Sequence, residues 1–165
     1  AGSGKTFSLG LYCLEKYYMN NLMYAMEHSY SEMKIEIDQI LKKTDYTTED
    51  ENSIFYAVGQ CLHAMLDYAE RIRSNDLDKD TLDAFKYANN GLKHGMEVET
   101  ITKPTGGITF PIQFPLEIPV RRIIWKVKWD ARSKRQEEMY LKHLDGKDVV
   151  STCGGFIERL KEYSI

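Results

Sequence analysis

One long run of apolar residues at helical spacing dominates the first part of this sequence. From Phe7 to Lys43 the apolar positions recur every three or four residues, and they form a stripe of Leu11, Leu14, Tyr18, Leu22, Met26, Met33, Ile37 and Ile40. Residues three and four apart share one face of an α-helix. The run therefore predicts a single long helix whose tyrosines and methionines belong to the core, with residues 28–31 as the place for a bend.

Two shorter helical stripes follow. Residues 48–51 form a capping box for a helix that runs to about Arg73 and turns inward Ile54, Phe55, Val58, Leu62, Met65, Leu66, Ala69 and Ile72. A third helix is predicted to begin at Asp78 or Asp80 and to end at Gly95. Its buried side would consist of Leu82, Phe85, Ala88 and Leu92.

After Gly95 the apolar period changes from helical to alternating. The alternating residues are Ile108, Phe110, Ile112, Phe114, Leu116, Ile118 and Val120. Alternation predicts a strand, and we expect Met96–Thr102 to pair with Ile108–Phe114 around residues 103–107. Prolines recur on the opposite face, at 111, 115 and 119. Because proline cannot donate to a ladder, the segment is predicted to be an edge strand or an extended arm against the helices.

Two further helical patterns complete the chain, at Ala131–Leu144 and at Asp148–Tyr163. The predicted fold class is mainly α, an up-and-down helical bundle of about five helices with a β-hairpin or extended insertion. We expect residues 1–4 to be an expression linker and residues 5–165 to form one domain with the insertion at 97–129. Residues 4–6 match the Gly-Lys-Thr of a phosphate-binding loop, but the sequence lacks the glycine and the strand that should precede it.

Composition excludes several classes of protein. Apolar residues make up 42% and charged residues 28%, an ordinary balance for a globular chain that excludes wholesale disorder. A net charge of −3 does not favour sequence-blind nucleic-acid binding by the whole molecule. Cys13, Cys61 and Cys153 are too far apart for a metal or disulfide motif and predict reduced thiols in a cytoplasmic protein. No apolar run is long enough for a membrane span, so a membrane is not expected as a partner.

The histidines are scattered and have no second ligand at a zinc-like spacing, so we expect neither a metal nor a cofactor. The end of the third helix is more informative. There, Asn90 and His94 share one face, and Asn89 and Lys93 share the adjacent one. A histidine in the last turn can cap the helix and interact with its dipole, or it can act as an acid–base group. Residue types alone leave both roles open and favour capping.

A basic cluster lies between residues 121 and 135, where seven positive charges fall within fifteen residues. Trp125 and Trp129 are interleaved with them. Aromatic rings beside cations can stack bases while the cations hold phosphates. The favoured alternative is that the lysines line the solvated side of a strand while the tryptophans face the core. The candidate nucleic-acid-binding residues are Arg121, Arg122, Lys126, Lys128 and Arg132.

Two segments together resemble the HEPN (higher eukaryotes and prokaryotes nucleotide-binding) superfamily. They are the helical hairpin leading to a helix that ends in Asn89–His94, and the later stretch Tyr140–Val150. The family is marked by an Arg, usually an Asn, three variable residues and a His at a helix end. The resemblance implies a small helical bundle, often a metal-independent ribonuclease of defence, abortive-infection or toxin–antitoxin systems, which works as a dimer that brings two motifs together.

Carried over by residue, Asn90 and His94 match the motif, whereas Asn89 stands where the family has its Arg. A neutral amide cannot replace a guanidinium fork, so Lys93, Arg71 or Arg73 would have to supply the charge. If the site is active, the resemblance implies that His94 removes the 2′-OH proton or protonates the leaving oxygen. The alternatives are an inactive relative and a non-enzymatic helical interaction module or inhibitor protein. The expected partners are RNA, another protein and a second copy of the chain, with the two His94 side chains close together.

Overall fold

In the computed structural model the described backbone covers residues 3–72, 76–92, 96–105 and 116–163, with side chains described for these except 3–13, 98, 100–105 and 116–119. These ranges contain five helices and one two-stranded antiparallel sheet. The helices are α1 (Ser3–Leu41), α2 (Thr48–Arg71), α3 (Lys79–Gly91), α4 (Lys134–His143) and α5 (Val149–Lys161), and the strands are β1 (Met96–Thr105) and β2 (Leu116–Trp125). The mainly α class with a hairpin insertion is confirmed. The linker at residues 1–4 and the single-domain division stay predictions.

The first stripe forms one continuous helix of 39 residues, as predicted. Its second half is buried, with Met26 and Met33 fully enclosed against α2. The first half differs, since Leu14 and Tyr18 are exposed and the prediction that they lie in the core is wrong. The ring centroid of Tyr18 lies 5.3 Å from the guanidinium carbon of Arg71, the last residue of α2. The part of α1 before Tyr18 therefore extends beyond the end of α2, which explains why Leu14 is exposed among the residues that the structure describes.

The helix α2 begins with a capping box that lies one residue before the predicted one. Thr47 is the N-cap, and its Oγ1 accepts a hydrogen bond from the backbone N of Asp50 at 3.2 Å. The Asp50 Oδ2 accepts in return from the Thr47 N at 3.0 Å. Asp50 is buried and also binds the ammonium of Lys43. This ion pair explains why the box uses Thr47 and Asp50 and not Thr48 and Glu51.

The core lies among the five helices and the base of the hairpin. Asp78 caps α3 by accepting from the Thr81 N at 3.0 Å, in agreement with the first of the two predicted start positions. Phe85 of α3 lies 5.0 Å from the ring of Phe156 in α5 and 6.3 Å from the ring of Trp125 at the end of β2. These rings join three elements that are distant in sequence.

The hairpin is longer than the sequence pattern predicts. Residues 96–105 pair with residues 116–125, so that Met96 lies opposite Trp125. The predicted pairing of 96–102 with 108–114 is wrong, and residues 106–115 lie outside the described part of the chain. Buried Ile123 and Trp125 fix this register by attaching the base of β2 to the bundle. Pro119 lies in β2, where the free edge of a two-stranded sheet tolerates it.

The last two helices agree with the prediction, with shorter bounds. Ser133 caps α4, and Asp148 caps α5 by accepting from the Ser151 N at 2.7 Å. Between them, Gly146 has a φ of 69°, a conformation that glycine adopts without strain. None of the helices, as far as the described residues show, is long and apolar enough to cross a membrane.

Candidate functional site

The end of α3 carries the motif residues that the structure describes. Asn90 is exposed. Asn89 is half-buried, and its Oδ1 is enclosed without a hydrogen-bond partner among the described residues. Lys93 and His94, the other two predicted catalytic residues, lie outside the described residues, as does the predicted helix stop at Gly95. Their roles stay predictions.

Gly91 joins the end of α3 to the segment that follows β2. A Cβ atom at this position would lie 2.1 Å from Cδ1 of Trp129 and 2.4 Å from Cγ1 of Val127. No other residue fits so close an approach without displacing the two side chains. The motif helix and residues 127–129 are therefore in direct contact.

Hydrogen bonds to and from two tyrosines hold this contact. The Tyr87 hydroxyl donates to the Trp129 carbonyl at 3.3 Å, and the Trp129 Nε1 donates to the Tyr87 carbonyl at 3.2 Å. The backbone N of Val127 donates to the hydroxyl of Tyr140 at 2.8 Å. Burial raises the pKa of Tyr140 far above its ordinary value, so that this hydroxyl stays protonated. The backbone of residues 127–129 is thus fixed against α3.

The two tryptophans face inward, in agreement with the favoured alternative. Trp125 is fully buried, and its Nε1 donates to Oγ1 of Thr152 at 2.8 Å. Trp129 is half-buried with its ring 5.6 Å from that of Tyr87. Lys126 and Lys128, between these apolar residues, are exposed. Trp125 is therefore unavailable for stacking on a base, while the lysines face solvent.

The cations of this region divide into two groups. Three are engaged: Nη1 of Arg121 donates to the Lys43 carbonyl at 2.8 Å, Nε of Arg122 donates to Glu99 at 2.6 Å, and Arg135 binds Asp80 and Asp83. The other four are exposed and have no ion-pair partner among the described residues. We call residues 126–134 the basic segment, and its free cations are Lys126, Lys128, Arg132 and Lys134.

The basic segment follows α3 along its length. It starts at the C-terminal end of α3, where Val127 and Trp129 contact Gly91. It ends near the N-terminal end of α3, where Arg135, the next residue along the chain, bonds Asp83 at 2.9 Å and Asp80 at 2.7 Å. The structure therefore brings together two candidate sites, Asn90 and the basic segment, that were separate in sequence. The signals that could have indicated this are Gly91 in the motif and the alternation of tryptophans and lysines.

Arg71, one of the cations that could replace the motif arginine, contacts α1, where its guanidinium lies over the Tyr18 ring at 5.3 Å from the centroid. Leu92, beside the motif, packs on Gly59, where a Cβ would lie 3.3 Å from its Cδ2. Gly59 is twelve residues before Arg71 on α2, which corresponds to about 18 Å at the rise of an α-helix. Arg73, the other candidate on that side, lies outside the described residues.

One titratable side chain near the motif was missed by the sequence argument. Lys86 binds Glu70 at 3.5 Å and Leu92 contacts Gly59, so that α2 and α3 run antiparallel. His63 is exposed and shares the face of α2 that bears Gly59 and Glu70. It therefore lies beside the last turn of α3. His63 was missed because its position near the motif depends on the contact between α2 and α3, which the spacing of the histidines in the sequence does not indicate.

Three or more His, Cys, Asp or Glu side chains that could share a metal ion do not occur together within the described ranges. Comparison with known proteins adds no assignment, because no family model, no curated protein and no solved structure matches this chain.

Proposed function

We propose that the protein is a HEPN-like RNA-binding protein of a prokaryotic or phage defence or toxin–antitoxin system, and that single-stranded RNA lies across the end of α3 and the basic segment. One observation carries this proposal. Gly91, the neighbour of exposed Asn90, contacts Val127 and Trp129, and these two residues alternate with exposed Lys126 and Lys128.

The charges support an RNA backbone as the ligand. The chain has a net charge of −3, yet four free cations lie within the nine residues of the basic segment, which contains one acidic residue, Asp130. Lys126 and Lys128 are two residues apart in an extended stretch, so their Cα atoms are separated by about 6.6 Å and their side chains leave on one side. Two such ammonium groups can each hold a phosphate while the fixed backbone beneath keeps them in place.

In this proposal the basic segment takes the role of the missing motif arginine. Asn89 is half-buried and neutral, whereas Arg132 is exposed and its guanidinium can bind a phosphate with two parallel hydrogen bonds. The stricter form of the proposal includes cleavage. The 2′-oxygen attacks the adjacent phosphorus, the bond to the 5′-oxygen breaks, and His94 removes or returns the proton while a cation stabilises the charge. The half-buried Asn89 favours the alternative in which the protein binds RNA without cutting it.

Binding is tested by titrating labelled single-stranded RNA with wild type and with the double variant Lys126→Gln, Lys128→Gln. We expect the affinity to fall at least about tenfold and the slope of log K against log salt to decrease by about 1.4, because two phosphate contacts are lost. The matched control combines Lys16→Gln on α1 with Lys42→Gln in the turn after α1, and it should leave both quantities unchanged. Absence of binding at low salt, or an equal loss in the control, would refute the proposal.

Cleavage is tested separately, without metal and with EDTA present, by comparing wild type with His94→Ala. Loss of cleavage in the variant supports the enzymatic form. Equal cleavage by both proteins, or none by either, removes it and leaves RNA binding as the function. The genes beside this one bear on the class, since a toxin, antitoxin or restriction gene there would support the assignment to defence.

A further inference from the structure

The helix α1 carries a second stripe on the side away from the core. Tyr17, Tyr24 and Ile35 expose 68%, 67% and 55% of their surface. Exposed polar residues lie between them on the same face. We call the whole set the outer seam: Tyr17, Asn21, Tyr24, His28, Ser31 and Ile35. The opposite side of the same helix is buried through Met26, Met33, Ile37 and Ile40.

The spacing of the outer seam is that of a helix-packing surface. Its members follow one another at intervals of four and three residues, the heptad pattern by which two helices pack along a common seam. Tyr24 and His28 stack with ring centroids 5.5 Å apart and an interplanar angle of 9°. Single exposed apolar side chains are common on protein surfaces, but an aligned series on one helix face indicates an interaction site.

We propose that the outer seam binds the outer seam of a second copy of this chain, with the two α1 helices antiparallel about a two-fold axis. Charge complementarity selects both the partner and the register. When Ile35 packs against Tyr24 of the second copy, the flanking Glu27 meets Lys34 of the second copy. By symmetry this ion pair forms twice.

Neighbouring registers are unfavourable. A shift by one heptad in one direction places Glu27 against Glu27 of the second copy. A shift in the other direction places Lys34 against Lys34 and Glu32 against Glu32 of the second copy. Like charges at flanking positions repel, and in the register proposed above Glu32 faces Ala25 of the second copy. Within one chain, Glu27 binds Lys161 at 3.0 Å and the Lys34 ammonium lies over the Tyr30 ring at 4.6 Å, so the pair between the two copies forms in exchange for these contacts.

The size of the seam agrees with a reversible dimer. In this register Tyr24 and Ile35 of the two copies pack against each other, and Tyr17 lies at the end of the interface, beyond Leu41 of the second copy. The buried total is therefore below about 1,200 Å², the size of weak and reversible complexes. We therefore expect a dimer that dissociates in the micromolar range.

This dimer differs from the one that the family resemblance implies, because the seam belongs to α1 and the motif to α3. It shares no residue with the basic segment. Its failure and the failure of RNA binding are therefore separate results.

Sedimentation velocity of the full chain tests the proposal. Wild type should shift between one and two times 19.2 kDa over a micromolar concentration series. Ile35→Glu should raise the dissociation constant at least about tenfold, because it buries a charge in the seam. The matched control is Leu141→Glu, since Leu141 is also an exposed helical apolar residue, 61% exposed, but lies outside the seam. It should leave the constant unchanged.

A charge swap tests the register. Lys34→Glu should weaken the dimer about tenfold, and Lys34→Glu combined with Glu27→Lys should restore most of the affinity. Far-ultraviolet circular dichroism of each variant serves as the control for folding of the monomer.

Cross-linking distinguishes the two dimers. In a Cys13→Ser background, Ser31→Cys should be joined by a short bismaleimide, because Ser31 lies near the proposed axis, while Asn90→Cys should not. A monomer at 100 µM, equal effects of Ile35→Glu and Leu141→Glu, no restoration by the swap, or cross-linking at position 90 in place of 31 would each overturn the proposal.

Discussion

The basic segment and the outer seam of α1 both present exposed side chains in a regular pattern, but they differ in what lies beneath and in what is exposed. Under the basic segment, Trp125 and Val127 are buried in the core, and the backbone is held by Tyr87 and Tyr140. Its exposed groups are cations. The outer seam is the exposed face of the amphipathic helix α1, and its large exposed side chains are two tyrosines and an isoleucine.

Exposure of a side chain is therefore evidence of an interaction site on the outer seam but not, by itself, on the basic segment. An exposed lysine is well solvated and needs no explanation, so Lys126 and Lys128 are informative only because their positions are fixed beside Asn90. An aligned series of exposed aromatic and aliphatic side chains is informative by itself. Substitutions beneath the basic segment should therefore change stability, whereas substitutions on either exposed surface should change binding and leave the monomer intact.

The largest expected effect is at Trp125. Trp125→Ala removes a fully buried ring that contacts Phe85 and should lower the free energy of unfolding by about 3–5 kcal/mol. Urea denaturation followed by circular dichroism measures this. Trp125→Phe keeps most of the apolar volume and loses the hydrogen bond to Thr152, so it should cost less. Equal losses from both variants would show that the hydrogen bond, and not packing, anchors the segment.

The next effect is at Gly91, where the basic segment meets the motif. Gly91→Ala should cost about 1–3 kcal/mol, because its Cβ would overlap Trp129 and Val127. It should also weaken RNA binding, since the lysines move with the segment. The control is Gly155→Ala in α5, which meets nothing within 4 Å and should be neutral or stabilising by about 0.5–1 kcal/mol. If Gly91→Ala were as stable as wild type, the close contact between the end of α3 and the basic segment would be refuted.

The sequence predicted those parts of the fold that depend on local periodicity. The five helices are found where the apolar stripes occur, and Asp78 caps α3 as expected. The hairpin register was predicted wrongly, because the alternation that suggested residues 108–114 continues to Val120 and therefore fits more than one register. The burial of Ile123 and Trp125, with Trp125 against Phe85, distinguishes the two pairings.

The site was harder to predict than the fold. Residue types identified Asn90 and the lysines, but their proximity arises from contacts between Gly91 and Trp129, residues 38 positions apart in the sequence. The length of α1 was predicted, whereas the exposure of Leu14 follows from where α2 ends, which the stripe on α1 does not encode. Local pattern thus determines the elements, and packing between distant elements determines the surfaces.

A smaller effect is expected at Asp50, in the first turn of α2, the helix that packs against α1. Hydrogen bonds from Lys43 and then Thr47 lower the pKa of Asp50 to about 2, below the ordinary value of 3.8. A depressed carboxyl pKa stabilises the fold above the ordinary value, and this stability is lost as pH falls from about 5 to about 2. Asp50→Asn should therefore be less stable than wild type at pH 7, and the difference should shrink across that window.

Urea denaturation at several pH values measures this difference. Thr47→Ala, which removes the N-cap hydroxyl, should cost about 1 kcal/mol. Asp45→Asn is the control, because Asp45 is exposed in the same connection and has no ion pair among the described residues. Its difference from wild type should stay constant with pH. A difference for Asp50→Asn that does not change between pH 7 and pH 2 would contradict the role of the Lys43–Asp50 pair.

The smallest effect on the monomer is expected at the outer seam itself. Tyr24→Ala removes a side chain that is 67% exposed, so at submicromolar protein concentration it should change the free energy of unfolding by less than about 0.5 kcal/mol. At higher concentration the two proteins should diverge. Association stabilises the folded state by mass action, so the melting temperature of wild type should rise with concentration while that of Tyr24→Ala should not. Leu141→Ala, also exposed but outside the seam, should retain the concentration dependence of wild type. A melting temperature of wild type that is independent of concentration would show that the seam is an idle surface, and the contrast with the basic segment would then lie only in chemistry and not in use.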